Sequence, residues 1–399
     1  MDSTKVPSRA DQQLIGHARE HGFAVTGKQL SGWRRHGLLP ANAHGGGLGR
    51  GQGSTSQPVA ASFVLVLALA RLSGRGKRPA DVAMLLFGEG LPVPEPTVRA
   101  AFHSAVGAVG LPGGAEPGRD VDGQLDAVDS YIGHGGQAVI MVPARARRVD
   151  AQIVAFFESA GVPWPPTELA QWDKNLGAER MTPQGAALFA ADALLTGSAP
   201  LQRIGALLRG LTPGLEVNPI ASLVETTPHS PVLGPDDSLA MLTGDVRRIL
   251  HELAATASPE DLGAAWQTAR DVRAWALDLC TRAEEELAAR APGEATMEWW
   301  ISRQLPAGLS LLDELRTRHE RAAATALSAL GLLLQREQFA ELDRVQPGCQ
   351  WDLAQTPGFL PPPARAFLAL PPAARPAADP EPLGPAAGPG TDRGRLPAR

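Results

Sequence analysis

The stretch QLSGWRRHGLLPANAHGGGLGRGQGS, from Gln29 to Ser54, narrows the folds open to this chain more than any other. Leu30 and Trp33 lie three apart on one face of a helix predicted over 27–36. Gly37 stands where a helix end needs a left-handed residue, and Pro40 forbids continuation. Residues 41–57 have no apolar periodicity and cannot pack as a helix. Helical patterns resume beyond them, from Pro58 to Ser73-Gly74 and over 79–87, where Pro79 and Asp81 suit a first turn. Upstream, Leu14, Ile15 and Ala18 predict a helix over 11–21 that stops at Gly22. The order is therefore helix, turn, helix, glycine-rich loop, helix, helix.

Charge adds a second constraint. The 399 residues carry 37 Lys+Arg and 42 Asp+Glu, a net −5. Residues 1–105 hold 12 basic against 6 acidic residues, a local +6, which leaves 25 against 36, or −11, for the remainder. Between His17 and Arg78 nine basic residues face a single acid, Glu20. A basic module on an acidic body implies a polyanionic partner for the module.

A DNA major groove admits one α-helix, which must expose donors while its back packs on the domain. With Leu30 and Trp33 inward, residues Lys28, Gln29, Ser31, Arg34, Arg35 and His36 are left to face a duplex. Arg34 and Arg35 suit bidentate contact with guanine or a phosphate, and Lys28 suits the backbone near a positive helix N-terminus. The glycine-rich stretch then reads as a hairpin wing, with Arg50 on the sugar-phosphate chain and Gln52 beside it.

Leu30, Trp33 and Gly37-Leu38-Leu39-Pro40, followed by Gly47-Leu48-Gly49-Arg50, resemble the second helix, exit turn and wing of MerR-type winged helix-turn-helix regulators. Ser31 stands where that family carries arginine, and the wing is longer and richer in glycine. The resemblance covers about 80 residues. It implies a winged-helix DNA-binding domain, packing helices over 58–73 and 79–87, and a two-fold dimer reading two half-sites.

The expected fold class is mainly α: a winged helix-turn-helix over 10–105, a Gly/Pro linker over 106–119, a helical domain over 120–345, and a disordered Pro-rich tail over 361–399. One short strand is expected at 137–142, and helix starts at Thr182-Pro183, Thr212-Pro213 and Ser258-Pro-Glu-Asp261. Long amphipathic helices are predicted over 259–290 and 307–339. The leucine and alanine stripe of the second serves a bundle core, or alternatively a dimer seam. Trp164, Trp172, Trp266, Trp275, Trp299, Trp300 and Trp351 belong mostly to the core, although some could line a small-molecule pocket.

Enzyme signals are weak. No phosphate-binding G-x-x-x-x-G-K-[ST] occurs, and His251-Glu252 and His319-Glu320 lack the second histidine of a zinc motif. Cys280 and Cys349 stand alone, Glu284 to Glu286 read as a solvated face, and Arg145, Arg147 and Arg148 read the same way. No cofactor or metal is expected. The most apolar run, the 14 residues from Val59 to Leu72, is short of the ~20 needed to span a bilayer, and the N-terminus has no signal-peptide core. The expectation is a cytoplasmic, bacterial, sequence-specific DNA-binding transcription regulator whose helical domain oligomerises or senses an effector. The alternatives are a scaffold that docks a protein partner through the winged helix, or a DNA-bending accessory factor of a mobile element.

Overall fold

The computed structural model describes residues 7–44, 56–74, 76–108, 143–161, 205–206, 209–210, 246–305, 307–315, 320–345 and 348–368, and these are mainly helical. Helix α1 (Arg9–Glu20) is capped by Ser8, whose side chain accepts from the Asp11 N–H, and it ends at Gly22 with φ +82°. Helix α2 (Gly27–Arg35) opens with a capping box between Thr26 and Gln29. It closes on a paired set of bonds, Leu38 N–H to Trp33 C=O at 2.9 Å and Gly37 N–H to Arg34 C=O at 3.0 Å, with Gly37 at φ +69°. Leu38 and Leu39 then drop into the core beside Leu30 and Trp33.

Two short strands, β1 (Ala43–His44) and β2 (Ser56–Gln57), pair antiparallel in the register Ala43 opposite Gln57 and His44 opposite Ser56. They close the two ends of the glycine-rich segment into a hairpin base, while 45–55 lie outside the described residues. Helices α3 (Ala60–Leu72) and α4 (Pro79–Gly88) follow as expected. Helix α5 (Glu95–Gly107) was not foreseen: its apolar residues are mostly alanine and valine, and Glu95-Pro96 starts it without a side-chain cap.

The second half is built on α6 (Ala144–Ser159), α7 (Val246–Thr256), α8 (Pro259–Ala288), α9 (Glu294–Gln304), α10 (Ala307–Glu314), α11 (Ala322–Val345), α12 (Cys349–Gln355) and α13 (Pro362–Leu368). Helix α8 runs for 30 residues, about 45 Å at 1.5 Å per residue. Its first half joins one core through Leu262, Trp266 and Val272, and its second half joins another through Leu279, Cys280 and Ala283. The apolar stripe predicted over 307–339 is divided in the same way. It belongs to two helices rather than one: Leu312 and Leu315 serve the second core, and Ala326, Leu330 and Leu333 the first.

The first core does not stop at the expected linker. Phe102 of α5 lies edge-on between Phe87 of α4 and Trp266 of α8, at ring distances of 6.0 and 6.1 Å. Arg99 donates to the carbonyls of Ala254 (3.0 Å), Ala255 (2.7 Å) and Ala257 (3.0 Å), satisfying the orphan acceptors at the end of α7. One turn on, His103 Nδ1 meets His251 Nδ1 at 2.9 Å. Helices α4 and α5 thus pack against the helices of the second half as well as against the N-terminal ones. The first part of the segment expected as a disordered tail is helical, α13 burying Ala364 and Leu368, and 369–399 lie outside the described residues. The expected strand at 137–142 and the helix starts at 182 and 212 fall outside them too. The Ser258 start holds, its Oγ accepting from the Asp261 N–H at 3.0 Å.

Candidate nucleic-acid interface

Helix α2 presents Lys28, Ser31 and Arg35, at positions i, i+3 and i+7, on the face opposite buried Leu30 and Trp33. All three are exposed, as is His36 at the helix end. Among the described residues, none of Lys28, Arg35 and His36 is paired with an acid. The exit turn beside them is fixed from below. Thr97 of α5 donates its hydroxyl to the Gly37 carbonyl at 3.0 Å, and a Cβ on Gly37 would run into that hydroxyl. A cavity of about 380 Å³ opens there, floored by Ala80, Ala83 and Ala100 of α4 and α5 and rimmed by His36.

Two expected contact residues are used differently. Gln29 spends its side-chain oxygen on the cap, accepting from Thr26 N–H at 2.8 Å and from Thr26 Oγ1 at 3.0 Å. Arg34 turns inward. Its Nη2 lies 2.7 Å from Asp11 Oδ1 of α1 and donates to Asn42 Oδ1 at 2.9 Å, and its Nε donates to the Pro40 carbonyl at 3.4 Å. Both members of the ion pair are largely shielded, with side chains 19% and 16% exposed. Partial burial works against ionisation of Asp11, yet hydrogen bonds from Arg34 and Ser8 and the arginine charge hold its carboxyl below the ordinary range. With its guanidinium filled by three partners, Arg34 is not the outward contact its place beside Arg35 suggested. Arg50 and Gln52 lie outside the described residues.

Elsewhere the acids and bases answer one another. Arg145 donates to Glu284 Oε1 and Oε2 at 3.1 and 2.8 Å and to Thr281 at 2.9 Å. Glu286, read from the sequence as a solvated face, instead caps α9: its carboxylate accepts from the N–H groups of Gly293, Ala295 and Thr296 and from the Thr296 hydroxyl. Asp150, buried with Arg303 and Trp299, ties α6 to α9 through bonds of 2.9 Å to each. Trp266 and Trp299 are core residues, and Trp351 is 40% exposed. Burial pushes the Cys280 thiol up to about 11 despite nearby Arg145, which makes it a poor nucleophile. Among the described residues no group of His, Cys, Asp and Glu is placed to hold a metal ion, and no helix is long and apolar enough to cross a membrane.

No protein-family description, curated protein or solved structure matches this chain.

Proposed function

We propose that the chain is a sequence-specific DNA-binding transcription regulator that reads duplex DNA with helix α2 and a wing rooted at β1 and β2. The observation that carries this reading is the outer face of α2. Lys28, Ser31, Arg35 and His36 stand exposed there without acidic partners among the described residues, next to a hairpin base, in a stretch from His17 to Arg78 that holds one acid. Such a surface is costly in self-repulsion unless a polyanion offsets it. Arg35 reaches a guanine edge or a phosphate, Lys28 contacts the backbone, and Ser31 accepts or donates at a base edge. The winged helix-turn-helix arrangement, the duplex partner, the two-fold dimer and an effector sensed by the helical body all belong to this proposal.

The test is binding of the full chain to a duplex selected by that chain from a random library, against unselected duplex, across a salt series. Sequence-selective binding, with affinity falling about a thousandfold or more between roughly 50 and 200 mM salt, supports the reading. Equal affinity for selected and unselected duplex removes it.

A further inference from the structure

Arg34 touches three separate pieces of chain with one planar group: α1 through Asp11, the α2 exit turn through the Pro40 carbonyl, and the root of the hairpin through Asn42, which precedes β1. A guanidinium suits this because its donors form a rigid fork; a lysine is a single point charge and could not span all three. Each partner is fixed by other contacts. Asp11 sits in the first turn of α1, its N–H bonded to Ser8 Oγ at 3.1 Å. Pro40 follows Leu38 and Leu39, both 2% exposed, and Asn42 leads directly into the strand paired with Ser56–Gln57. Nothing else among the described polar contacts joins all three segments.

We infer that Arg34 is a positioning residue, which sets the hairpin root and α1 against the reading helix and makes no contact with the nucleic acid itself. This rests on the DNA-binding reading above and deepens it. The outer face of α2 and the hairpin root act as one preset grip, so sequence selectivity depends on a residue pointing away from the duplex. Preset geometry avoids ordering costs on binding, and a shift of about 1 Å is enough to lose well-aligned contacts.

The sign of the effect of D11N separates positioning from contact. Removing an acid near a DNA-binding surface should, by Coulomb's law alone, strengthen binding or leave it unchanged. A positioning role predicts the reverse. The experiment measures affinity of the full chain and of D11N and N42A for the selected duplex and for unselected duplex, well below the thermal midpoint of each variant. Both variants are expected to lose about tenfold in affinity for the selected duplex while holding theirs for unselected duplex within about twofold. A merely structural lesion lowers both affinities together. D11N binding the selected duplex as tightly as the wild type, or more tightly, overturns the inference, and so does a proportional fall on both duplexes. N42A carries no charge change, so it decides the matter should D11N fail to fold. If the wild type itself shows no selectivity, the DNA reading has failed. The clamp is then judged by a double-mutant cycle of thermal midpoints for Asp11→Asn and Arg34→Gln, where strict additivity overturns it.

Discussion

Helices α2 and α6 make an instructive pair, because each clusters arginines and each ties one of them to a carboxylate of another helix. In α2 that residue is Arg34, held by Asp11 and Asn42; in α6 it is Arg145, held by Glu284 and Thr281. Outward, α2 shows Lys28 and Arg35, and α6 shows Arg147 and Arg148. The difference lies in what surrounds them. From His17 to Arg78 the chain has one acid, whereas α6 faces the part of α8 that carries Asp278, Glu284 and Glu285. The arginines alone do not mark a binding face; the supply of acids within reach decides whether the positive field survives.

The largest effect should come from breaking the body's pairing. Asp150→Asn leaves Arg303, whose side chain is 1% exposed, with no described counter-charge. A buried charge stripped of its partner costs about 3–5 kcal/mol. Equilibrium denaturation should show that loss, with DNA affinity unchanged wherever the variant is folded. A change below about 1 kcal/mol would mean that the body does not need its acids as the comparison holds.

The next effect is the mirror image. Arg35→Ala removes an exposed cation with no acidic partner among the described residues, so stability should move by less than about 0.5 kcal/mol. Affinity for the selected duplex should nevertheless fall by about 1–3 kcal/mol, as for a lost base or phosphate contact. Titration at fixed salt beside a thermal melt checks both halves. An equal fall in stability would show that Arg35 holds the fold rather than the duplex.

Arg34 and Arg35 also show what the sequence could say. The GLLP turn, the cap at Gly37 and the inward pair Leu30 and Trp33 were legible because helix ends and helical spacing are local. The inward turn of Arg34 was half legible: it follows buried Leu30 by four residues, on the inner flank of the helix. Its partners, however, lie 23 residues before it and 8 after, and no local pattern announces them. The same limit hid α5, whose small side chains give a weak periodic signal and whose burial depends on Trp266, more than 160 positions from Phe102. It also hid the work of Glu286, since a carboxylate eight residues before a helix looks solvated until the chain turns at Ala289-Arg290.

Glu286 supplies a smaller test of the body's dependence on acids, through pH. Partial burial opposes its ionisation, but the hydrogen bonds from Thr296, Gly293 and Ala295 outweigh that and bring its carboxyl down to about 2. A depressed folded value means the stabilisation is full above the unfolded value of 4.5 and is lost as pH falls from there through about 2. Glu286→Gln should therefore cost about 1 kcal/mol at neutral pH, in the range of a lost helix cap. The gap between wild type and variant should narrow steadily in denaturation curves taken from pH 5 to about 2.5. A gap that stays constant across that window would show that shape, and not charge, makes the cap.

The smallest expected effect is the one that sharpens the comparison most. Arg147 and Arg148 are exposed, and both belong to the acidic half of the chain. If acid supply decides which arginines bind DNA, Arg147→Ala with Arg148→Ala should change stability by less than about 0.5 kcal/mol. It should also leave the affinity for the selected duplex, and the slope of that affinity against salt, unaltered. Each phosphate contact contributes about 0.9 to that slope, so even one true contact from α6 would register. A slope reduced by one or two would place α6 on the duplex with α2, and the contrast between the two helices would give way to a single extended basic surface.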